Sequence, residues 1–297
     1  MSPLFDGFEQ FVVPVQGARI AVRVGGQGRP LLLLHGHPQT QAMWHAVAPA
    51  LAQRFRVVAM DLRGYGDSSR PPSDERHEPY SKRAMASDAL QVMAHLGHVQ
   101  FDVCAHDRGA RVAHRLALDH ALQVRRLLLL DIAPTLAMYR QTHEAFARAY
   151  WHWFFLIQPA PLPERFIEAD PVRYVHEVMG RRHAGLAAFA PQALAEYERC
   201  IALPGTAHAL CEDYRASAGI DLAHDEADLR AGRKLTVPLR VLWGAQGVVG
   251  RCFDVLALWR EVAQQVSGRA LDCGHYIAEE RPAELLDEIH TFLSEDD

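Results

Sequence analysis

The feature that most constrains the fold of this chain is the alternation of short apolar runs, rich in valine and leucine, with longer segments of helical pattern. Such alternation is typical of strands joined by crossover helices in a largely parallel sheet. The runs predicted to be strands are residues 11–15, 20–24, 31–34, 56–60, 101–105, 126–130, 239–243 and 269–272. The first two flank Gly17, so we expect them to form an antiparallel hairpin ahead of the parallel part.

The strand pattern stops between Asp131 and Val237, where aromatic residues, prolines and helix-like stretches at 141–157 and 192–201 take its place. Because the strands resume at Leu239, we predict that residues 135–236 form a helical cap inserted into one sheet domain. Residues 1–134 and 237–297 are then the two parts of that domain. Open parallel sheets bind ligands beyond the carboxyl ends of their strands, so we expect a pocket where the cap faces the sheet.

Charge and composition exclude several classes of partner and cofactor. The chain of 297 residues has a formal net charge of -5 at pH 7, which provides no overall positive field for nucleic acid or an anionic membrane. No signal-like start and no apolar stretch of ~20 residues is present, so we expect a soluble, cytoplasmic protein. The five cysteines form no CxxC pair and no HExxH sequence occurs, so we expect reduced thiols and neither a metal nor another cofactor.

The predicted strand 101–105 is followed by the sequence HDRG and then by a helical pattern. A strand, a sharp turn and a helix form the layout of a nucleophile elbow, in which small residues stand two positions before and two after the reactive one. Ala105 and Gly109 are these small residues. Asp107 takes the place that serine usually holds, and no GxSxG sequence occurs in the chain. We therefore predict that Asp107 is a nucleophile.

An aspartate nucleophile determines what the rest of the site must do. A carboxylate is ionised at neutral pH and can attack an electrophilic carbon directly, which leaves an ester that water must hydrolyse. That second step needs a histidine as base and an acid that orients it. His275 follows the last predicted strand and Asp131 directly follows another, in the chain order expected of the fold. The loop 243–247 is the other place for the acid, but it contains no carboxylate.

Two arginines beside the nucleophile indicate an anionic substrate. Arg108 and Arg111 lie one turn apart at the start of the predicted elbow helix. A substrate carboxylate ~4 Å from Asp107 would be repelled by ~4 kcal/mol at an effective dielectric of ~20, and guanidinium groups offset that repulsion. The alternative for Arg111 is a surface position on a solvated helix. The backbone N–H groups of Arg108 and His37 are predicted to form an oxyanion hole.

The predicted cap contains candidate donors for a departing halide. His152 and Trp153 belong to the aromatic segment 150–155, and Tyr214 lies further along the cap. Buried Trp and His polar atoms require partners, so donation to a halide is a reasonable function for them. For the other aromatic residues of the segment we prefer packing of the cap against the sheet.

These motifs resemble those of the haloacetate dehalogenases, and specifically the fluoroacetate dehalogenases, over nearly the whole chain. HGHPQTQAMWH at 35–45 and DLRGYGDS at 61–68 are common in the α/β-hydrolase superfamily, whereas HDRGAR at 106–111 and YWHWFF at 150–155 are more specific. EDYR at 212–215 and CGHY at 273–276 also match. The resemblance implies an α/β-hydrolase fold, with a mostly parallel eight-stranded sheet flanked by helices and an inserted helical cap.

The resemblance also implies a function for each candidate residue and a homodimeric assembly. The implied reaction converts a short 2-haloacid, such as fluoroacetate or chloroacetate, into a hydroxyacid and halide through a covalent ester. Relatives usually carry Phe at the position of His37 and Gly at that of Ala105. The implied triad, carboxylate-binding pair and halide-binding set are Asp107 with Asp131 and His275, Arg108 with Arg111, and His152 with Trp153 and Tyr214.

Three alternative functions stay open. Epoxide hydrolases share the aspartate nucleophile and use cap tyrosines, although Arg108 and Arg111 would be costly unpaired charges around a neutral epoxide. Haloalkane dehalogenases place a halide-binding Trp directly after the nucleophile, where this chain has Arg108. A ligand-binding protein without turnover is the third possibility, and the complete triad argues against it.

Overall fold

The computed structural model describes residues 4–294, in which eight strands form a single sheet of order β1-β2-β4-β3-β5-β6-β7-β8. The strands are β1 (Glu9–Val15), β2 (Ala18–Gly25), β3 (Arg29–Leu34), β4 (Phe55–Met60), β5 (Phe101–His106), β6 (Val124–Leu130), β7 (Leu239–Gly244) and β8 (Val266–Leu271). All eight predicted strands are present. The last one begins at Val266 rather than at Arg269, because this edge strand is largely exposed and its polar residues hid its start.

The pairing of the strands matches the predicted hairpin and parallel core. β1 pairs with β2, and β2 with β4, in antiparallel orientation, whereas the remaining neighbours are parallel. Residues 31–34 of β3 pair on both sides, with β4 and β5, and are buried. Strands covered on both faces read as continuous apolar runs, which explains why the sequence identified them. The carboxyl ends of β3, β5 and β6 meet at one edge of the sheet.

Helices cover the sheet and fill the segment between β6 and β7. The helices outside that segment are α1 (Ala48–Leu51), α2 (Lys82–His95), α3 (Asp107–Asp119), α12 (Val248–Cys252), α13 (Val255–Val262), α14 (Ile277–Glu280) and α15 (Pro282–Leu293). Those inside it are α4 (Thr135–Arg140), α5 (Glu144–Ala149), α6 (Trp151–Leu156), α7 (Leu162–Ala169), α8 (Pro171–Gly180), α9 (Pro191–Ile201), α10 (Thr206–Ala218) and α11 (Ile220–Arg230). Short 3-10 helices span Gln41–Trp44, Glu78–Tyr80 and Gly185–Ala188.

The segment between β6 and β7 is helical where the sequence predicted a cap. We propose that residues 135–236 form this cap. The helix expected over 141–157 is wrong as one element, because the chain leaves helical geometry at Tyr150 and divides into α5 and α6. The Tyr150 ring stacks on Phe146 at 4.8 Å, a packing contact that periodicity does not reveal. α9 begins at Pro191, since proline suits the first helical position.

None of the helices in the described range 4–294 combines the length and apolar character that a membrane span requires.

Candidate active site

The nucleophile elbow lies where β5 passes directly into α3. Asp107 is the first residue of α3 and has a φ of 45°, a left-handed conformation that is uncommon outside glycine. Gly109 donates its N–H to the carbonyl oxygen of His35 at 2.8 Å. A Cβ atom added at Gly109 would lie 2.4 Å from that oxygen, so the small residue predicted here is a steric requirement.

The loop after β3 approaches the nucleophile closely. A Cβ atom on Gly36 would lie 2.5 Å from the Cβ of Asp107, so this loop position requires glycine. The next residue, His37, donates its backbone N–H to Oδ1 of Asp107 at 2.9 Å. One of the two predicted oxyanion donors thus contacts the carboxylate, while the function of the Arg108 N–H stays a prediction.

His275 and Asp131 meet as the sequence predicted. Nδ1 of His275 lies 2.5 Å from Oδ2 of Asp131, and both side chains are buried. Asp131 follows β6 with a φ of 50°, and its Oδ1 accepts the N–H of Gly244 at 2.9 Å. A carboxylate at Nδ1 keeps the proton on that nitrogen, which leaves Nε2 of His275 free to accept another.

His106 supports His275 from below, a contact that the sequence did not indicate. Its Nε2–H donates to the backbone oxygen of His275 at 2.9 Å, and the two rings are 4.5 Å apart between centroids. Burial lowers the pKa of His106 to about 3, so this imidazole is neutral at neutral pH. Its position beside Asp107 in the HDRG sequence was the available signal.

The surroundings keep Asp107 ionised. Burial on its own would raise the pKa of this carboxyl group, but the neighbouring His275, His106, Arg111 and Arg108 side chains lower it. Their combined effect prevails and holds the pKa well below its usual value. The carboxylate is therefore in the form that a nucleophile requires.

Arg108 is fully buried and is held by an acid from the cap. Its Nε and Nη2 donate to the two carboxylate oxygens of Asp213 at 2.9 and 2.7 Å, and Nη2 also donates to Ser217. Asp213 further accepts from Lys82 and from the hydroxyl of Tyr65. Asp213 lies in the EDYR sequence, but nothing in that motif indicated a function for it. Among the three side-chain nitrogens of Arg108, Nη1 is the one that has no hydrogen-bond partner within residues 4–294.

Arg111 is buried and forms no ion pair within residues 4–294. Its Nη1 donates to the oxygens of Ala133 and Thr135 at 3.2 and 2.9 Å, and Nη2 lies 3.3 Å from the sulfur of Met138. No Asp or Glu oxygen within residues 4–294 lies within 4.0 Å of it, and its Nε has no partner there. With 3% exposure, Arg111 is not a surface residue. Burial and the nearby charge of Arg108 lower the pKa of Arg111 against the opposing influence of Asp107, so a further anion would stabilise this guanidinium.

The three predicted halide donors lie together beneath these arginines. The Tyr214 ring is 5.9 Å from that of His152 and 6.5 Å from that of Trp153, between centroids. The Arg108 guanidinium lies 4.0 Å from the Tyr214 ring centroid, and that of Arg111 lies 4.6 Å from Trp153. The Tyr214 hydroxyl and Trp153 Nε1 are buried and have no hydrogen-bond partner among the described residues. Because buried donors normally have partners, the lack of one at the Tyr214 hydroxyl and at Trp153 Nε1 indicates that a ligand accepts these hydrogen bonds.

The His37 ring packs against two of the predicted halide donors, His152 and Tyr214. Its ring is parallel to that of His152, with centroids 5.9 Å apart, and its Nε2 lies 3.0 Å from the Tyr174 hydroxyl. Burial lowers the pKa of His37 to about 3 and that of His152 well below its ordinary value. Both rings are therefore neutral at neutral pH, and each carries one N–H donor.

A cleft of about 410 Å³ extends from His152 and His275 towards the surface of the cap. Arg148, Arg182 and Arg251 are among the side chains that line it. None of these arginines was predicted from the sequence to belong to the site. In the described range 4–294 no group of three or more His, Cys, Asp or Glu side chains is arranged to hold a metal ion.

Residues 29–282 match the family described as the alpha/beta hydrolase fold. The chain belongs to this family. The predicted α/β-hydrolase fold is thereby confirmed, since the sheet order and the family agree.

Relatives of this α/β-hydrolase include proteins named for two different activities. It is 42% identical to a fluoroacetate dehalogenase from Burkholderia sp, over 98% of this chain and 96% of that one. It is 34% identical to a soluble epoxide hydrolase from Corynebacterium sp. (strain C12), over 94% and 95% of the two chains. A solved structure from Nostoc sp PCC 7120, assigned to the alpha/beta hydrolases, is 57% identical and has a TM-score of 0.93 over 97% and 98% of the chains. The protein is therefore a hydrolase of this family.

Proposed function

We propose that this α/β-hydrolase cleaves the carbon–halogen bond of short 2-haloacids, such as fluoroacetate and chloroacetate, to give a 2-hydroxyacid and halide. The observation that carries the proposal is a set of buried N–H and O–H groups in the site of Asp107 that have no hydrogen-bond partner within residues 4–294. The set comprises Arg108 Nη1, Arg111 Nε, Trp153 Nε1 and the Tyr214 hydroxyl. A haloacid supplies two acceptors, its carboxylate and its departing halide. The fluoroacetate dehalogenase relative supports the same substrate class.

The first half-reaction forms an ester on Asp107. Arg111 and the free Nη1 of Arg108 bind the substrate carboxylate, which offsets its repulsion from the nucleophile. A carboxylate oxygen of Asp107 attacks the carbon that bears the halogen. The carbon–oxygen bond forms as the carbon–halogen bond breaks, and its electron pair leaves with the halide. His152, Trp153 and Tyr214 donate hydrogen bonds to the developing negative charge.

The second half-reaction releases the product. His275 accepts a proton from water at Nε2, and the resulting hydroxide attacks the carbonyl carbon of the Asp107 ester. Asp131 stabilises the imidazolium, while the N–H of His37, together with that of Arg108, stabilises the oxyanion. Collapse of the intermediate restores the carboxylate and releases the hydroxyacid. One water is consumed per turnover, and one halide and one proton are released.

The test is halide release from fluoroacetate and chloroacetate, measured side by side with diol formation from a neutral epoxide. We expect halide release by the wild type and none by Asp107→Asn, which lacks the anionic nucleophile. Arg173→Gln, on the cap surface, is the matched control and should keep wild-type rates. Diol formation without release of either halide would overturn the proposal.

Epoxide hydrolysis is the second candidate, and cap tyrosines are the observation that favours it. The hydroxyls of Tyr139 and Tyr214 are buried and lack partners within the described residues, so either could donate to an epoxide oxygen. Burial raises the pKa of Tyr214 well above its usual value, so the phenol keeps its proton. A neutral epoxide would add no negative charge beside the buried Arg108 and Arg111, which is why we rank this candidate second.

A further inference from the structure

The cleft above His152 and His275 is strongly cationic. We call it the arginine cleft, because its charged lining consists of the side chains of Arg148, Arg181, Arg182 and Arg251. Among the residues that the structure describes, no Asp or Glu lines it. Such a surface attracts anions towards the site below.

Within residues 4–294, Arg182 differs from Arg148 and Arg181 by the absence of an acidic partner, and from Arg251, which also has none, by being partly buried. Arg148 pairs with Glu144 at 2.8 Å and Arg181 pairs with Glu177 at 2.6 Å, and both arginines are largely exposed. Arg182, just after α8, is partly buried, and no carboxylate of residues 4–294 lies within 4.0 Å of it. Its charge is therefore available to a ligand.

The position of Arg182 connects the cleft with the reacting groups. Its guanidinium lies 4.6 Å from the Tyr150 ring centroid, and that ring is 5.4 Å from the ring of His152. Burial opposes the charge of Arg182, but the influence of Tyr150 and of the acids Asp107 and Asp131 outweighs it and raises the pKa of the guanidinium. Arg182 thus remains charged within electrostatic reach of the nucleophile.

We propose that Arg182 is a specificity-determining residue that binds a second anionic group of the substrate, so that halogenated dicarboxylates are substrates. This inference rests on the proposed function. Arg111 would bind the carboxylate next to the halogen, and Arg182 would bind the distal carboxylate in the arginine cleft. The volume of about 410 Å³ leaves space for a substrate longer than a two-carbon acid. Guanidinium groups suit this task because they bind carboxylates through two parallel hydrogen bonds.

The chemistry of such a substrate is unchanged. For 2-chlorosuccinate, Asp107 displaces chloride from the second carbon and water then hydrolyses the ester. The products are the hydroxydicarboxylate, one chloride and one proton. The distal carboxylate takes no part in bond making or breaking, so Arg182 affects binding and positioning.

The kinetic test compares 2-chlorosuccinate with 2-chlorobutanoate, which has the same number of carbons and lacks the second carboxylate. The measured quantity is the ratio of kcat/KM for the diacid to that for the monoacid. We expect Arg182→Gln to lower this ratio at least tenfold and Arg182→Lys to lower it less. Arg173→Gln removes the same charge from α8 outside the cleft and should leave the ratio within threefold. An unchanged ratio in Arg182→Gln would overturn the inference.

A binding test separates this inference from the proposed function. Dissociation constants of succinate and butyrate, measured by calorimetry, require no turnover. We expect the wild type to bind succinate at least tenfold more tightly than butyrate, and Arg182→Gln to lose that preference. No halide release from fluoroacetate or chloroacetate, with the succinate preference intact, would overturn the proposed function and leave the binding role of Arg182 standing. Equal binding of the two acids by the wild type would overturn the inference about Arg182.

Discussion

The two acids that matter most in the site share an uncommon backbone conformation. Asp107 and Asp131 have φ values of 45° and 50°, at the carboxyl ends of neighbouring strands. Non-glycine residues in this region cost about 1–3 kcal/mol and persist only where the surroundings fix them. Here the His37 N–H fixes Asp107, and Asp131 is fixed by Gly244 and His275. The conformation turns both carboxylates towards the same edge of the sheet.

At this scale we predict that His275→Ala separates the two half-reactions. Asp107 is ionised without help from a base, so the ester should still form, but no group would activate water to hydrolyse it. With excess chloroacetate, intact-mass spectrometry should show one adduct per chain, on the peptide that contains Asp107. The Asp107→Asn protein is the control without adduct. A His275→Ala protein that releases chloride steadily and carries no adduct would contradict the two-step mechanism.

The junction of β5 and α3 depends on very close packing against the loop after β3. Gly36 and Gly109 permit this approach, and the bond from Gly109 to His35 holds the two segments together. The sharp turn between strand and helix is therefore maintained by sterics as much as by hydrogen bonding. A small distortion here would displace Asp107 from the donors around it.

We predict that Gly109→Ala lowers both the stability and the activity of the protein. The added Cβ would lie 2.4 Å from the His35 oxygen, which is backbone and cannot rotate away. We expect a loss of about 1–3 kcal/mol of unfolding free energy in urea denaturation and a larger relative loss of halide release. Gly180→Ala is the control, because the added Cβ at this helix end would meet only side-chain atoms of Leu186, the nearest at 3.2 Å, and no backbone atom. Equal stability of the two variants would contradict the steric argument.

How much the sequence predicts differs between elements. The buried strands and the elbow were predictable because apolar runs and the HDRG sequence are local signals. The exposed start of β8 and the break at Tyr150 were not, since their own residues carry no such signal. In the site, the pairing of Asp213 with Arg108 joins positions far apart in the chain, and only the folded structure brings them together. Arg182 was missed for the same reason.

One partly buried carboxyl group joins three separate parts of the chain. Glu279 on α14 accepts from the Tyr197 hydroxyl on α9 at 2.9 Å and from the side chain of Gln39 after β3. Burial raises the pKa of Glu279 to about 8, and the nearby Glu280 also raises it, against the opposing hydrogen bonds from Tyr197 and Gln39. The carboxyl group is thus protonated in the folded protein at pH values where the unfolded chain has lost the proton.

This shift predicts a pH-dependent difference between the wild type and Glu279→Gln. Between 4.5 and about 8 the folded state holds a proton that the unfolded state lacks, so the unfolding free energy of the wild type falls as pH rises. The slope is at most about 1.4 kcal/mol per pH unit. Relative to the wild type, Glu279→Gln should therefore gain stability across this window and show no further change above it. Urea denaturation at several pH values measures the unfolding free energy of each protein, with the exposed Glu261→Gln as control. Parallel plots of unfolding free energy against pH for the wild type and Glu279→Gln would contradict the prediction.

The ion pair between Arg108 and Asp213 has a consequence for the path by which substrate enters and product leaves the site. Asp213 belongs to α10 of the proposed cap, and Arg108 lies beside Asp107 in α3. Their ion pair therefore holds the proposed cap against the sheet domain at the site. Separation of the proposed cap from the sheet domain would break this buried ion pair, at a cost of about 3–5 kcal/mol. Passage of ligands through an existing opening therefore costs less free energy than separation of the proposed cap from the sheet domain. Haloacid would then arrive, and halide depart, through the arginine cleft while the proposed cap stays closed.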